Sequence, residues 1–222
     1  MKSALIIGAS RGIGKEFVTQ LLKSEWTVYA CARDLKDIDS LEQQGGKGIP
    51  LDVTDPTSIA GLSRTLDGVD LDLVIYVAGI YGPELGPKHV PSATEFDKVM
   101  HTNVLGAMQC IPLLAPMLEI TNGKFIFISS LMGSISATQS SFGWIYRASK
   151  AALNMSVKAA SFDYPRVIFS VMNPGWVKTD MGGESAPTSV DQSVKGMLSV
   201  ISKLSLIDSG SFQSFDERSM NW

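Results

Sequence analysis

The stretch "ALIIGASRGIGKEFVTQLLKS" (4–24) restricts what this chain can fold into more than any other segment does. A short apolar run stops at Gly8, three glycines (Gly8, Gly12, Gly14) fall within seven residues, and an amphipathic stretch follows, so the pattern predicts strand, tight turn and helix. Glycines at such a junction let the chain turn sharply, let backbone N–H groups approach a pyrophosphate and let the helix pack close to the strand. The helix N-terminus favours negative charge in the same place. A dinucleotide suits this geometry; a strand-to-helix turn with no ligand is the plainer alternative.

Apolar, β-branched runs recur at wide intervals: "ALII" (4–7), "TVYACA" (27–32), "GIPL" (48–51), "LDLVIYV" (71–77), "KFIFIS" (124–129), "RVIFSVM" (166–172) and, more weakly, "GSFQSF" (210–215). Several lack period-2 alternation, as strands covered on both faces do, and helix-length segments with apolar residues at i, i+3 and i+4 separate them. The expectation is an α/β fold: a single Rossmann-type, doubly wound parallel sheet of about seven strands, helices on both faces, ligands beyond the C-terminal strand ends. With 222 residues, 45% of them hydrophobic, the chain is long enough to bury a sizeable core, and one domain over 1–222 is expected. No repeat or linker interrupts it; the loops 81–92 and 182–189 follow expected strands and can border a pocket.

A formal charge of −3, with both signs scattered, offers no basic stripe for a phosphate backbone, so nucleic acid is not an expected partner. The start "MKSALIIGAS" has too short an apolar run for a signal peptide and no later run approaches a membrane span, so membrane insertion is not expected and a cytoplasmic location is. Cys31 and Cys110 lie in apolar runs without CxxC spacing and read as packed thiols. His89 and His101 have no metal-ligand spacing, so no metal is expected.

The second expected strand ends in "CARD". Ala32 stands where an NAD site would place a carboxylate for the ribose 2′-hydroxyl, and Arg33 follows; with Arg11 from the glycine loop it can flank a 2′-phosphate. NADP(H) is therefore expected over NAD(H). Both arginines as solvated charges, or Asp34 serving a ribose hydroxyl, remain the alternatives. After the third strand, in "LDVTD", Asp55 or Thr54 suits the N-cap of the next helix.

In "WIYRASKAALNM" (144–155), Tyr146 and Lys150 stand at i and i+4 and share one helix face. Upstream, "FIFISSLMGS" ends a strand with Ser129 and Ser130, "HTNVLGA" contains Asn103, and "NPGWVKTDM" (173–181) follows the sixth strand. Together with the G-x-x-x-G-x-G spacing, these motifs resemble the short-chain dehydrogenase/reductase family over nearly the whole chain. The resemblance implies a catalytic tetrad of Asn103, Ser130, Tyr146 and Lys150. Tyr146 would donate a proton while Lys150 lowers its pKa and holds the nicotinamide ribose. Ser130 would polarise the substrate oxygen, and Asn103, through its helix backbone, would place a water. It also implies cofactor contacts at Gly8, Ser10, Arg11, Gly12, Ile13, Gly14, Arg33, Asp52 (adenine amino group), Val53, Ala78, Gly79, Asn103, Tyr146, Lys150, Pro174, Gly175, Val177 and Thr179.

Two features depart from the family pattern. Val77 replaces the asparagine common before Ala78 and Gly79, and Ser130 precedes Tyr146 by 16 residues, which indicates an inserted loop and makes Ser134 a runner-up for the catalytic serine. "MGSIS", "YRASKAALNM", "NPGWVKTDMGG" and the final "NW" look like the C-factor-like and sniffer-type carbonyl reductases. That likeness implies NADPH-dependent reduction of a ketone or aldehyde, with Tyr81, Met132, Phe142, Trp144, Trp176 and Met181 as candidates to line an apolar substrate cleft. A dinucleotide-binding signalling protein of C-factor type is the competing reading, and an epimerase or dehydratase a more distant one. A homodimer or homotetramer through the helices of Asn103 and Tyr146 is possible for such a family.

Overall fold

A computed structural model describes residues 2–222. In chain order the elements are β1 (Ser3–Ile7), α1 (Gly12–Lys23), β2 (Thr27–Ala32), α2 (Leu35–Gln43), β3 (Lys47–Pro50), α3 (Pro56–Thr65), β4 (Leu73–Tyr76), α4 (Ala93–Met100), a π-helical turn (His101–Leu105), α5 (Gly106–Thr121), β5 (Lys124–Ile128), a 3-10 turn (Leu131–Gly133), α6 (Trp144–Ala160), β6 (Ile168–Asn173), α7 (Val190–Lys203), a second 3-10 turn (Leu206–Asp208) and β7 (Ser211–Ser214). The strands form one seven-stranded sheet in the order β3-β2-β1-β4-β5-β6-β7. Every pairing is parallel. All seven strands fall on the runs expected from the sequence, including β7.

The sheet is covered on both sides, which is why its strands read as continuous apolar runs. Alternate residues of each strand still go to opposite faces. Leu5, Ile7, Phe125 and Phe127 join α3, α5 and α6 in one core cluster, while Ala4, Ile6, Ile126 and Ile128 join α1, α2 and α7 in the other. On the first face the rings of Phe125 and Phe127 stack at 4.4 Å, Tyr76 meets Phe127 at 5.9 Å and Phe125 meets Phe169 at 5.7 Å, an aromatic row running across three strands. Cys31 and Cys110 are buried free thiols of this same cluster. Burial pushes both thiols up, that of Cys110 to about 12.

The sequence order runs outward from β1 in both directions: β2 and β3 to one side, β4 to β7 to the other. Ile7 pairs with Cys31 on one flank and with Tyr76 on the other, so the loops leaving β1 and β4 part company just beyond these residues. Such a reversal leaves a crevice at the C-terminal strand ends.

One expectation needs correction. Helices α4 and α5 run on through the π turn as a single helix, Ala93–Thr121, of 29 residues whose mean hydropathy reaches 1.5, so one segment does meet the length and hydropathy of a membrane span. Its apolar character has another cause here. Cys110, Ile111, Leu114, Ala115 and Leu118 are buried against the sheet and its neighbouring helices, as a core helix requires.

The π turn is tied to the sheet by Tyr76, whose hydroxyl donates to the Thr102 carbonyl at 3.0 Å. Tyr76→Phe keeps the ring stack and removes that bond inside the core. We expect it to cost about 1–3 kcal/mol of stability in denaturant melts, the price of a buried polar group losing its partner; an unchanged midpoint would mean the bond holds nothing.

Candidate active site

The glycine loop leaves β1 by a backbone crossing: the Gly8 and Ala9 amides donate to the Cys31 carbonyl at 3.2 and 2.8 Å. Gly8 has a left-handed φ of +92°, and a Cβ on it would stand 2.7 Å from the Ala78 amide nitrogen. A Cβ on Gly14 would stand 2.0 Å from the Gly8 carbonyl oxygen. Only glycine permits the first turn of α1 to sit this close to the loop. Arg11 at the N-cap of α1 makes no side-chain capping bond and the first turn holds no acidic residue, whereas α3, α4 and α7 are capped by Asp55, Ser92 and Ser189. The start of α1 thus presents unscreened N–H groups, the arrangement that suits a pyrophosphate.

These features open on a cleft of about 640 Å³ at the sheet reversal. Gly8, Ser10, Arg11, Gly12, Ile13, Arg33, Asp52, Val53, Ala78, Gly79, Tyr146, Lys150, Pro174 and Thr179 form its wall, so the structure brings together most of the residues singled out in the sequence. Gly14, Asn103, Ser130, Gly175 and Val177 are not among the residues that line it. Val177 pairs with Thr188 in an isolated bridge. Val77, the departure from the family pattern, keeps its place because its amide and that of Ala78 both donate to the Ile7 carbonyl, at 2.8 and 3.0 Å.

At one end of the cleft Arg33 stands beside Asp52. The Asp52 carboxylate accepts from the Thr54 amide at 2.8 Å and hydroxyl at 2.7 Å, and these bonds, with a smaller push from the Arg33 charge, hold it below the usual carboxylate range. Asp55, not Asp52, caps α3, accepting from the Thr57 amide at 2.9 Å. Asp34 sits at the N-cap of α2, off the cleft wall. The two arginines differ. Arg11 is bonded to Asp180 at 2.8 Å, a solvent-exposed pair that ties the glycine loop to the loop after β6, while Arg33 has no ion pair among the described residues.

At the other end lie Tyr146 and Lys150, 6% and 3% exposed. The Lys150 ammonium donates to the Ile128 carbonyl at 2.9 Å and stands 5.6 Å from the centre of the Tyr146 ring. Burial pushes Lys150 down to about 8. Burial also dominates Tyr146 and pushes its phenol up; a hydrogen bond with Ser130 opposes this and the nearby Tyr81 adds to it. The expectation that Lys150 pulls the phenol down is therefore not what governs here, because removing the phenolate from water outweighs it and the ammonium lies by the ring. Ser130 caps the 3-10 turn by accepting from the Met132 amide at 3.1 Å, and its hydroxyl is the group that favours the Tyr146 phenolate against burial. Ser134, the runner-up, is committed elsewhere; its hydroxyl donates to the Asn221 carbonyl at 2.8 Å and accepts from the Ala137 amide at 3.2 Å.

Asn103 is fully buried in the π turn, and its side chain was not the part expected to matter. Its Oδ1 accepts from the Ile80 amide at 2.8 Å, and its Nδ2 donates to the Ile80 carbonyl and to the Ser149 hydroxyl, both at 2.9 Å. Sequence reading also missed Lys98, His101 and Thr102, which join the cleft wall from α4 and the π turn, and Lys178 and Asp180 from the loop after β6. No local motif marks the first three; the fold alone carries them there.

The buried ammonium has a stability consequence. Lys150 titrates near 8 in the folded chain and near 10.5 when free, so the unfolded chain binds the extra proton between these values and stability rises with pH across that window. Lys150→Met should remove that rise, with a wild-type-to-variant difference on the order of 3 kcal/mol at pH 7 that shrinks toward pH 10. Parallel stability profiles for the two proteins would contradict this.

The sequence model of the short chain dehydrogenase family matches residues 2–189. The C-signal of Myxococcus xanthus is 34% identical over 155 residues, spanning 68% of this chain and 93% of that protein. Among solved structures, the carbonyl reductase Sniffer of D. melanogaster superposes with a TM-score of 0.93 at 28% identity, covering 100% of both chains. The NADPH-bound carbonyl reductase from chicken fatty liver superposes with a TM-score of 0.86 at 33% identity, covering 100% of this chain and 99% of that one. A parallel sheet in this order, a glycine loop at its reversal and a matching family model over most of its length make this chain a member of the short-chain dehydrogenase family, and an oxidoreductase of that family's type.

Proposed function

We propose that the chain is an NADPH-dependent carbonyl reductase that converts a hydrophobic ketone or aldehyde to its alcohol. The observation that carries this reading is the pairing of buried Tyr146 and Lys150 at one end of a cleft whose other end holds an arginine without an ion pair. The residues fit a dinucleotide: the glycine cradle and the start of α1 would hold the pyrophosphate, Arg33 the 2′-phosphate and Asp52 with Val53 the adenine side. When bound, the dihydronicotinamide supplies the hydride for the carbonyl carbon.

The chain's own residues supply the rest. Tyr146 gives its phenolic proton to the carbonyl oxygen, and the Ser130 hydroxyl, which acts on the same phenol, orients that oxygen. Burial pushes the phenol further up, so at neutral pH it carries the proton that a carbonyl oxygen would take. Lys150 fixes the floor of the site through Ile128 and, with its pKa brought near neutrality, can pass a proton toward Tyr146 after donation. Phe142, Trp176 and Met181, each about half exposed at 48%, 57% and 50%, offer the apolar surface for the substrate.

A signalling role without turnover is the second reading, favoured by the likeness to the C-signal. Against it, Asn103, Ser130, Tyr146 and Lys150 are all retained, and a protein that only binds a dinucleotide has no need of a proton donor.

Tyr146→Phe should lower carbonyl reduction by at least about 10²-fold and leave NADPH affinity intact, since only the proton donor is removed; steady-state rates with a fluorescence titration of the cofactor check both. Arg33→Ala should weaken NADPH by about tenfold or more and NADH by far less, as loss of a charge-assisted phosphate contact demands. Equal losses would remove the case for phosphate recognition. With pH, reduction should fall and alcohol oxidation rise as the phenol ionises; a reductive rate that grows toward alkaline pH would contradict Tyr146 as donor.

A further inference from the structure

We propose that Tyr81 is a positioning residue for Tyr146: its ring supports one face of the phenol, keeps that phenol turned to Ser130 and keeps water off it. The kinetic side of this inference rests on the reductase reading above; the geometric side stands without it.

Tyr81 is anchored before it reaches the site. The preceding residue, Ile80, is held at both amide and carbonyl by the side chain of Asn103, at 2.8 and 2.9 Å, so the backbone entering Tyr81 cannot swing. From there the Tyr81 ring lies on that of Tyr146, with centroids 4.7 Å apart and planes 30° apart. No other ring stacks on Tyr146 among the described residues. Phe142 flanks Tyr81 at 6.4 Å, and the Tyr81 hydroxyl reaches the Met132 sulfur at 3.9 Å.

Helix α6 is shaped to receive it. Gly143, the N-cap of α6, has a left-handed φ of +66°, and a Cβ there would stand 2.5 Å from the Tyr81 hydroxyl oxygen. The Trp144 amide donates to the Leu85 carbonyl at 3.3 Å and binds the same loop to the start of the helix. The contacts close on themselves. Ser149 donates to the Tyr146 carbonyl at 2.8 Å and accepts from Asn103, so Asn103 sets the backbone of Tyr146 through Ser149 and its ring through Tyr81.

Four variants test this: Tyr81→Ala removes the ring, Tyr81→Phe keeps it, Gly143→Ala displaces it, and Tyr146→Phe identifies the Tyr146 signal in a phenolate-absorbance titration. In the wild type Tyr146 should ionise well above a free phenol, and in Tyr81→Ala it should move down toward about 10 as water reaches it. With NADPH saturating, Tyr81→Ala and Gly143→Ala should lose about tenfold to a hundredfold in kcat through misplacement of the donor, with the KM for NADPH nearly unchanged. Tyr81→Phe should restore both readouts. Should Tyr81→Ala fail to fold, Gly143→Ala carries the same prediction with the ring still present. An unshifted titration and unchanged kcat in Tyr81→Ala or Gly143→Ala would overturn the proposal, and so would a Tyr81→Phe as impaired as the alanine, which would put the effect in the hydroxyl. A wild type that turns over no carbonyl while the titration shift is seen would sink the reductase reading and leave the positioning role standing.

Discussion

Gly8 meets Ala78 backbone to backbone, and the site depends on that approach. A single carbon at Gly8 would stand 2.7 Å from the Ala78 amide, so the exits of β1 and β4 can lie side by side only while position 8 is bare. The sheet reversal makes these two exits neighbours, and their closeness sets the floor of the cleft. On one side the floor leads to the start of α1, which has no side-chain cap, and on the other to Ile80 and Tyr81. Binding of a dinucleotide and placement of the proton donor therefore share one structural origin.

Behind that floor, polar groups are few and nearly all serve position rather than charge. Asn103 saturates its side chain on Ile80 and Ser149 and exposes nothing. It sits in a π turn that Tyr76 bonds from the sheet, so the core fixes the turn, the turn fixes Asn103, and Asn103 fixes both neighbours of the phenol. Desolvation then does the electrostatic work. It lowers the affinity of Lys150 for its proton and raises that of Tyr146, which brings an ammonium that releases its proton more readily and a protonated phenol together in one wall.

Much of this was legible in the sequence, because it is local. The seven strands announce themselves as apolar runs, the glycine loop by its spacing, and Tyr146 with Lys150 by the helical repeat. What was not legible depends on chain crossings. Lys98, His101 and Thr102 reach the cleft only because the helix Ala93–Thr121 passes its edge, and that helix looks like a membrane span to a hydropathy count until its buried face is seen. Arg11 reads as a free cation until Asp180, 169 residues away, is found beside it. The direction of the Tyr146 shift also escaped, since helical spacing reports which residues are near one another and not how much water has left. Ser134 was the runner-up to Ser130 in the sequence, and the structure separates them by what each hydroxyl bonds: Ser130 accepts from the Met132 amide, while Ser134 donates to the Asn221 carbonyl.

The central claim is that this cleft moves a hydride from a nicotinamide to a carbonyl carbon. The direct measurement uses NADPH carrying deuterium on the transferring position of C4, an aromatic aldehyde or ketone, and mass spectrometry of the product. The account predicts an alcohol carrying deuterium on the former carbonyl carbon, with oxidised cofactor formed in equal amount. Saturable binding of NADPH with no label transferred to any of a broad set of carbonyl compounds would contradict it and favour a protein that holds the dinucleotide without using it.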